Sequence, residues 1–364
     1  MEFDRGPNPP AAQEIGPVSV PSGAAESGQL PAEASLGKRF WNVRTLISFV
    51  VAFAVLILLF TRAQIDPVVA VRAILGASPG YYLVALVVYY LVFPIRGLRW
   101  RQMLVNSGCR SEEIPGVGTL GEIIFVSWFV NCLVPAKLGD VYRAYLLKRR
   151  SVLSGSMAGG TIVAERLLDV TTLILLAGTA GLIALWGQRD KLVTLVLPLE
   201  IVSAVILVAA LGLVALRLWS GWLRGLLPPQ FHGLYVRFVE GAFGAFGSFH
   251  VLLPLSLFAW LAEAGRFYFV VRALGFTLVA NQSLELAVVV AVALVGSLLT
   301  VVPLPGGLGI VQFGILGALV LFGVNKDEAA SIMLLDMTLT WGSLVVFGLI
   351  AFGIGIRRGD WSTR

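Results

Sequence analysis

The chain carries little charge. Asp, Glu, Lys and Arg make up 13% of its 364 residues, about half the share of a soluble globular protein. Hydrophobic residues make up 57%, and the mean hydropathy is +0.87. These values exclude a soluble globular fold and exclude disorder over most of the chain. Cysteine and histidine are rare too, with two of each. Cys109 lies in a polar loop and Cys132 in an apolar run, with no Cys-x-x-Cys spacing, so neither a structural zinc nor a disulfide framework is expected. His232 and His250 fall in one short region and give no basis for a metal site. No Ser/His or Cys/His nucleophile–base pair stands out. No cofactor is therefore expected, and no residue is assigned a catalytic role.

What the chain has is long apolar runs and a net charge of +6. In a soluble protein that charge would suggest nucleic acid; in a membrane protein it reads as basic loops facing anionic lipid. Residues 1–37 are rich in Pro, Ala, Gly, Ser and Glu without a signal-length apolar run, and read as a disordered cytosolic tail. Residues 38–364 read as a single transmembrane domain. The expected fold is all-α, a polytopic helical bundle. Six spans are expected, at about 43–60, 81–95, 167–187, 192–216, 251–274 and 332–356. Two shorter pieces, Ile123–Val134 and Ala287–Phe322, are broken at Pro135 and at Pro303–Gly307. Twelve apolar residues do not cross about 30 Å as a helix, so the first reads as a re-entrant hairpin. The second reads as another hairpin or as two short spans. Between them, an aromatic stripe from Phe231 to Phe249 at helical spacing suggests an interfacial amphipathic helix, with core packing as the alternative.

With the N-terminus in the cytosol, the cytosolic segments hold 18 Lys and Arg and the outer segments 6; Arg5 in the tail and Arg166 and Arg266 within apolar runs are set aside. That excess places both termini in the cytosol of a cell-membrane protein. Short features also recur at offsets of 167 or 168 residues: Gly97 and Gly265, Gly108 and Gly275, Val134-Pro135 and Val302-Pro303, Leu167-Leu168-Asp169 and Leu334-Leu335-Asp336. They define repeat units of about 79–190 and 250–356. Three spans separate the two starts, an odd number, so the repeats are inverted in the membrane. Inverted repeats with broken helices are a transporter architecture.

The candidate site residues cluster at the breaks and at charges inside apolar runs. Asn131, Lys137, Gly139, Asp140 and Arg143 surround the first break. Asp140 is placed to cap the following helix, whose free N–H groups would attract an anion; an Asp140–Arg143 pair in a structural turn is the alternative. Gly306, Gly307, Gly309 and Gln312 surround the second break, which reads either as a half-helix start facing the interior or as close packing through small residues. Glu165, Arg166 and Asp169 stand at the mouth of one span, and Glu263 and Arg266 lie one helical turn apart deep in another. Asp336 and Glu200 need a partner from another helix. Arg96, Arg99, Trp100 and Arg101 read as an interfacial anchor, or as a grip on head-group phosphates.

Arg96-Gly-Leu-Arg99-Trp100, Asn131…Pro135…Gly139-Asp140-x-x-Arg143, Glu165-Arg166-x-x-Asp169 and Pro305-Gly306-Gly307-Leu-Gly309, in this order, resemble the lysylphosphatidylglycerol synthase transmembrane-region family over about Phe40 to Arg358. The resemblance implies flippase-like handling of a phospholipid or related lipid. The family pattern usually has Glu where this chain has Gln312, and often Arg near Asp336. A membrane lipid with an anionic head group is the expected partner, and nucleic acid is not. Two other functions stay open: a non-transporting protein that scaffolds a lipid-modifying enzyme, and an enzyme of lipid or lipid-linked glycan modification.

Overall fold

The computed structural model describes residues 66–134, 137–186, 204, 207–208, 210–212, 214–278, 282–300 and 309–357. The expected spans at 43–60 and, for the most part, 192–216 lie outside them, as do Pro135, Glu200 and the Pro303–Gly307 turn. The described residues are helical throughout, joined by turns. In chain order the helices are α1 (Pro67–Leu75), α2 (Pro79–Asn106), α3 (Val117–Leu133), α4 (Leu138–Arg150), α5 (Gly155–Ala184), α6 (Ser220–Leu226), α7 (His232–Gly244), α8 (Phe249–Ala273), α9 (Gln282–Leu299), α10 (Ile310–Leu321), α11 (Lys326–Met337) and α12 (Ser343–Arg357). A π-helical turn, Thr338–Gly342, joins α11 to α12.

Helix length follows the apolar runs. α2 has 28 residues and α5 has 30, about 42 and 45 Å at 1.5 Å per residue. Each exceeds the hydrocarbon thickness of about 30 Å. α11 and α12 together form a third such helix, and α7 and α8, bent by 77° at their junction, supply a fourth span if taken as one. In α5 the hydroxyls of Thr171, Thr172 and Thr179 donate to the carbonyls of Leu167, Leu168 and Leu175 at 2.6–2.8 Å. Such back-bonding satisfies a hydroxyl where no bulk water can.

α3 and α4 are 17 and 13 residues long. They pack on each other across the break at Pro135, as a re-entrant hairpin should. α9 and α10 do the same around the second break. α2 differs from expectation in one respect. It continues through Pro94 and the Arg96–Arg101 cluster to Asn106. Arg96 and Arg99 are buried inside the bundle, while Arg101 is only partly covered.

The repeat is visible in the element order: short helix, long helix, broken pair, long helix, occurring as α1–α5 and again as α7–α12. Two matching caps fix the register. Gly108 and Gly275 both adopt left-handed backbone, φ 89° and 73°. The next residue's N–H closes on the same carbonyl in each case, Cys109 on Leu104 and Phe276 on Val271. This is the Schellman closure that glycine permits. The equivalent helices α2 and α8 run antiparallel. Ser78 N–H at the start of α2 donates to Ala273 O at the end of α8, 2.7 Å, and Asn106 at the end of α2 donates to Ala245 O just before α8, 2.9 Å. The repeats are thus inverted with respect to each other.

α7 packs on α5, as α1 packs on α11. The α5–α7 contact is backbone on backbone. A Cβ at Gly160 would lie 2.1 Å from Phe238 O, and one at Gly241 2.3 Å from Met157 O. The aromatic stripe is therefore divided between roles: Phe238 lies on Gly159, while Phe231 and Phe249 stay exposed. Gly160→Val and Gly241→Val should each destabilise the purified protein by about 2 kcal/mol or more, read as a lower midpoint in fluorescence-detected thermal unfolding. Gly233→Ala, where nothing lies within 4 Å, should leave the midpoint within experimental error.

Candidate functional site

The site begins with an arginine that has no access to water. Arg99 on α2 is fully buried. Its Nη1 donates to Asp169 Oδ1 at 2.6 Å and to Ser256 Oγ at 2.9 Å, and its Nη2 donates to Glu165 Oε1 at 3.0 Å. One guanidinium thus ties α2 to α5 and α8. The other Glu165 oxygen lies 2.7 Å from Arg143 Nη2 of α4. Arg143 stacks on Trp100 at 3.8 Å, and the indole N–H of Trp100 donates to Thr161 Oγ1 at 3.1 Å. Arg96 Nη1 reaches Asp169 Oδ2 at 3.3 Å, with its guanidinium 5.0 Å from the Trp128 ring and 4.5 Å from the Trp260 ring. Arg166 holds Asp140 with two parallel bonds of 3.1 and 2.9 Å.

The second repeat carries a smaller cluster at equivalent positions. Arg266 donates through Nε to Glu263 at 3.2 Å and through Nη1 to Asp336. Arg99–Asp169 and Arg266–Asp336 are the same pair, each 70 residues apart. At the neighbouring position the repeats differ in sign: Arg96 in the first corresponds to Glu263 in the second, at the 167-residue offset. The first cluster, with Arg96, Arg99, Arg143 and Arg166 against Asp140, Glu165 and Asp169, has one charge of positive excess before Lys137 is added. The second has one of negative excess.

A cavity of about 180 Å³ lies between them. Arg96, Lys137 and Arg166 line it from the first repeat, and Glu263, Arg266 and Asp336 from the second. Asn131 and Gln312 come from the two hairpins, and Trp128, Trp260 and Trp341 supply aromatic walls. Several polar atoms on this wall are buried without a partner: Arg96 Nε and Nη2, Glu263 Oε2, and the indole nitrogens of Trp260 and Trp341. Buried polar groups are normally hydrogen-bonded. Such a constellation suits a polar ligand or water.

Several expectations need correction. Arg143 does not pair with Asp140; it pairs with Glu165, and Arg166 takes Asp140 because its planar fork meets both carboxylate oxygens. Asp140 does not cap α4. It is the third residue of that helix, and Gly139 N–H is satisfied by Asn131 Oδ1 at 2.8 Å. A Cβ at Gly139 would fall 2.0 Å from Ser127 O, so the glycine serves close packing of α3 on α4. The start of α10 is closed likewise, by Gln312 Oε1 accepting from Gly309 N–H at 2.7 Å. Neither half-helix start offers these N–H groups to an anion. A glutamate at 312 would present the same oxygen, so Gln312 keeps the cap and drops a charge. Gly306 and Gly307 lie outside the described residues.

Arg99, Asp140, Arg143, Glu165 and Asp169 stand behind the cavity wall, while Asn131, Lys137, Arg166, Glu263, Arg266, Gln312 and Asp336 line it. The part played by Ser256, the three tryptophans and the π-helical turn was not anticipated. Tyr82, Tyr89 and Tyr90 of α2 bond Thr338, Thr340 and Ser343 in and beside that turn, and Thr340 and Trp341 line the cavity. The paired tyrosines were a usable signal, since buried tyrosine hydroxyls seek partners; the π turn leaves none. Burial raises the thiol of Cys109, between α2 and α3, above its ordinary value, and Glu113 raises it further. Among the described residues no three metal-ligating side chains converge.

Removing one partner from a buried ion network leaves the others uncompensated. Arg99→Ala should cost about 3–5 kcal/mol and be seen as loss of monodisperse protein on size exclusion. Arg101→Ala, whose partner is a loop carbonyl at 3.3 Å, should have little effect.

Comparison with known proteins places this architecture. The pattern of the Lysylphosphatidylglycerol synthase TM region matches residues 45–348. A UPF0104 membrane protein of Methanocaldococcus jannaschii is 30% identical over 233 residues, 62% of this chain and 94% of that one. A UPF0104 membrane protein of Methanothermobacter thermautotrophicus is 27% identical over 332 residues, 83% of this chain and 92% of that one. The glycosyltransferase AglD of Haloferax volcanii is 32% identical over 164 residues, 44% of this chain but 25% of its own. No solved structure matches. The chain is a multi-pass membrane protein and belongs to the lysylphosphatidylglycerol synthase transmembrane-region family.

Proposed function

We propose that the protein moves a phosphate-bearing membrane lipid between leaflets, with the head group passing through the cavity between the two repeats. The observation that carries this reading is Arg96. Its guanidinium is held on one edge by Asp169 and lies over the rings of two tryptophans, and its remaining N–H groups are buried on the cavity wall without a partner. A phosphate or similar oxyanion satisfies such donors. Lys137 and Arg166 on the same wall favour the same charge. Antiparallel repeats that line one cavity from both sides are the kind of architecture that alternating access uses.

The reading places the protein in the cell membrane with both termini cytosolic, on the basic-residue excess. An enzymatic role has less support: among the described residues no nucleophile–base pair faces the cavity, and the relative named as a glycosyltransferase is matched over a quarter of its length. A scaffolding role for a lipid-modifying enzyme would leave the cavity's unpartnered charges unexplained.

In proteoliposomes, the purified protein should expose an inner-leaflet, fluorophore-labelled phospholipid to an external quencher faster than empty vesicles do. Compared at equal amounts of folded, reconstituted protein, Arg96→Ala should slow this by about tenfold or more; Asp169 keeps Arg99 as a partner. Equal rates for the two proteins would refute the cavity route. For topology, Lys326→Cys should react with an impermeant maleimide on intact cells, and Arg358→Cys only after permeabilisation; the reverse pattern would invert the arrangement.

A further inference from the structure

We propose that binding of an anionic head group in the cavity is coupled to uptake of one proton by the Glu263–Arg266–Asp336 cluster. The proposal rests on the function above and adds what drives or gates it. Two buried carboxylates share a single arginine here, and Glu263 Oε2 is buried on the cavity wall without a partner. In the first repeat, by contrast, Asp169 and Glu165 are surrounded by Arg96, Arg99 and Arg143.

The charges that face the cluster decide the coupling. From α8 there is Arg266, from α2 Arg96 and the Tyr89 hydroxyl, from α3 the Cys132 thiol, from α5 Arg166, and from the α3–α4 connection Lys137. α9 and α10 contribute no charged side chain to the wall; Gln312 is neutral. With no anion bound, the free edge of Arg96, on the wall of the same small cavity, is the positive charge available to offset the excess carboxylate. An anion that takes Arg96 removes that compensation. Two carboxylates are then left with one arginine in a poorly solvated site, and protonating one of them restores neutrality. The proton comes from water in the cavity and ends on a carboxylate oxygen of the pair, so the cluster goes from one net negative charge to none. When the head group leaves, Arg96 is free again and the proton returns to water. Linkage makes the effect reciprocal: if the anion favours the proton, the proton favours the anion. Affinity for an anionic head group must then rise as pH falls, by up to about tenfold per pH unit for one coupled proton.

Isothermal titration calorimetry of the full-length protein in nanodiscs tests this. The probes are dihexanoyl phosphatidylglycerol and inorganic phosphate, each titrated in two buffers of different ionisation enthalpy. The expected result is uptake of about one proton per lipid bound, with tighter binding at lower pH. Glu263→Gln, which keeps the shape and a contact to Arg266, should bind the lipid with no proton uptake and no pH dependence. Asp336→Asn provides the same test should the first variant fold poorly. Phosphate binding with the same proton uptake would assign the site to the oxyanion alone; binding of the lipid only would add its glycerol or chains. Lipid binding without proton uptake, or uptake unchanged in both variants, overturns the coupling and leaves the transport reading standing. No binding of either probe overturns both.

Discussion

A charged side chain inside a bilayer must find its counter-ion within the protein, and Arg99 shows how far that requirement shapes this molecule. Both of its terminal nitrogens are bound to carboxylates of α5, and one also reaches Ser256 of α8. Three helices that could otherwise slide on apolar surfaces are pinned at one point. Lipid tails are as apolar as leucine, so burial alone gives little preference for one helix arrangement over another. Ion pairs and close glycine contacts such as Gly160 on α7 supply that preference. Arg143 extends the pinning to the first hairpin through Glu165, and Arg166 does so through Asp140. The broken helix is thereby fixed to a full-length one.

Duplication gives the same device twice, and divergence makes the two copies unequal. Arg266–Asp336 reproduces Arg99–Asp169, but Glu263 stands where Arg96 would be. The first half of the site carries surplus positive charge and the second surplus negative charge, with a cavity between. Charges of opposite sign therefore line the two sides of the cavity, and Arg96 and Glu263 each keep a polar atom buried there without a partner.

Much of this was legible in the sequence because membrane helices have few alternatives. Apolar run length marked the long helices but not the end of α2, recurring Gly, Leu and Asp positions exposed the repeat, and the odd number of spans between the two starts gave its direction. The partner that Asp336 needed from another helix turned out to be Arg266, which the sequence had paired with Glu263 alone. Arg96 and Arg99 were read as closing the span, as an interfacial anchor or a grip on head-group phosphates, because a helix carrying Pro94 and three arginines looks finished at Ile95. Tertiary carboxylates, which no local pattern reveals, let it continue. Asp140 and Arg143 failed for a related reason. A pair one turn apart is sterically available, but a bidentate arginine from α5 competes better. The hairpin starts were read as open to anions, yet Asn131 and Gln312 close the N–H groups of Gly139 and Gly309 from within the chain.

The central claim is that Arg96 presents its free guanidinium edge to a phosphate-bearing head group. Native mass spectrometry of the gently solubilised protein tests it most directly, because it needs no assumption about cargo. The account predicts that a phosphate-bearing lipid stays bound to the wild-type protein and is lost from a folded Arg96→Ala variant. Retention of the same lipid by that variant, or a wild-type protein that carries none under conditions where its helices remain intact, would contradict it.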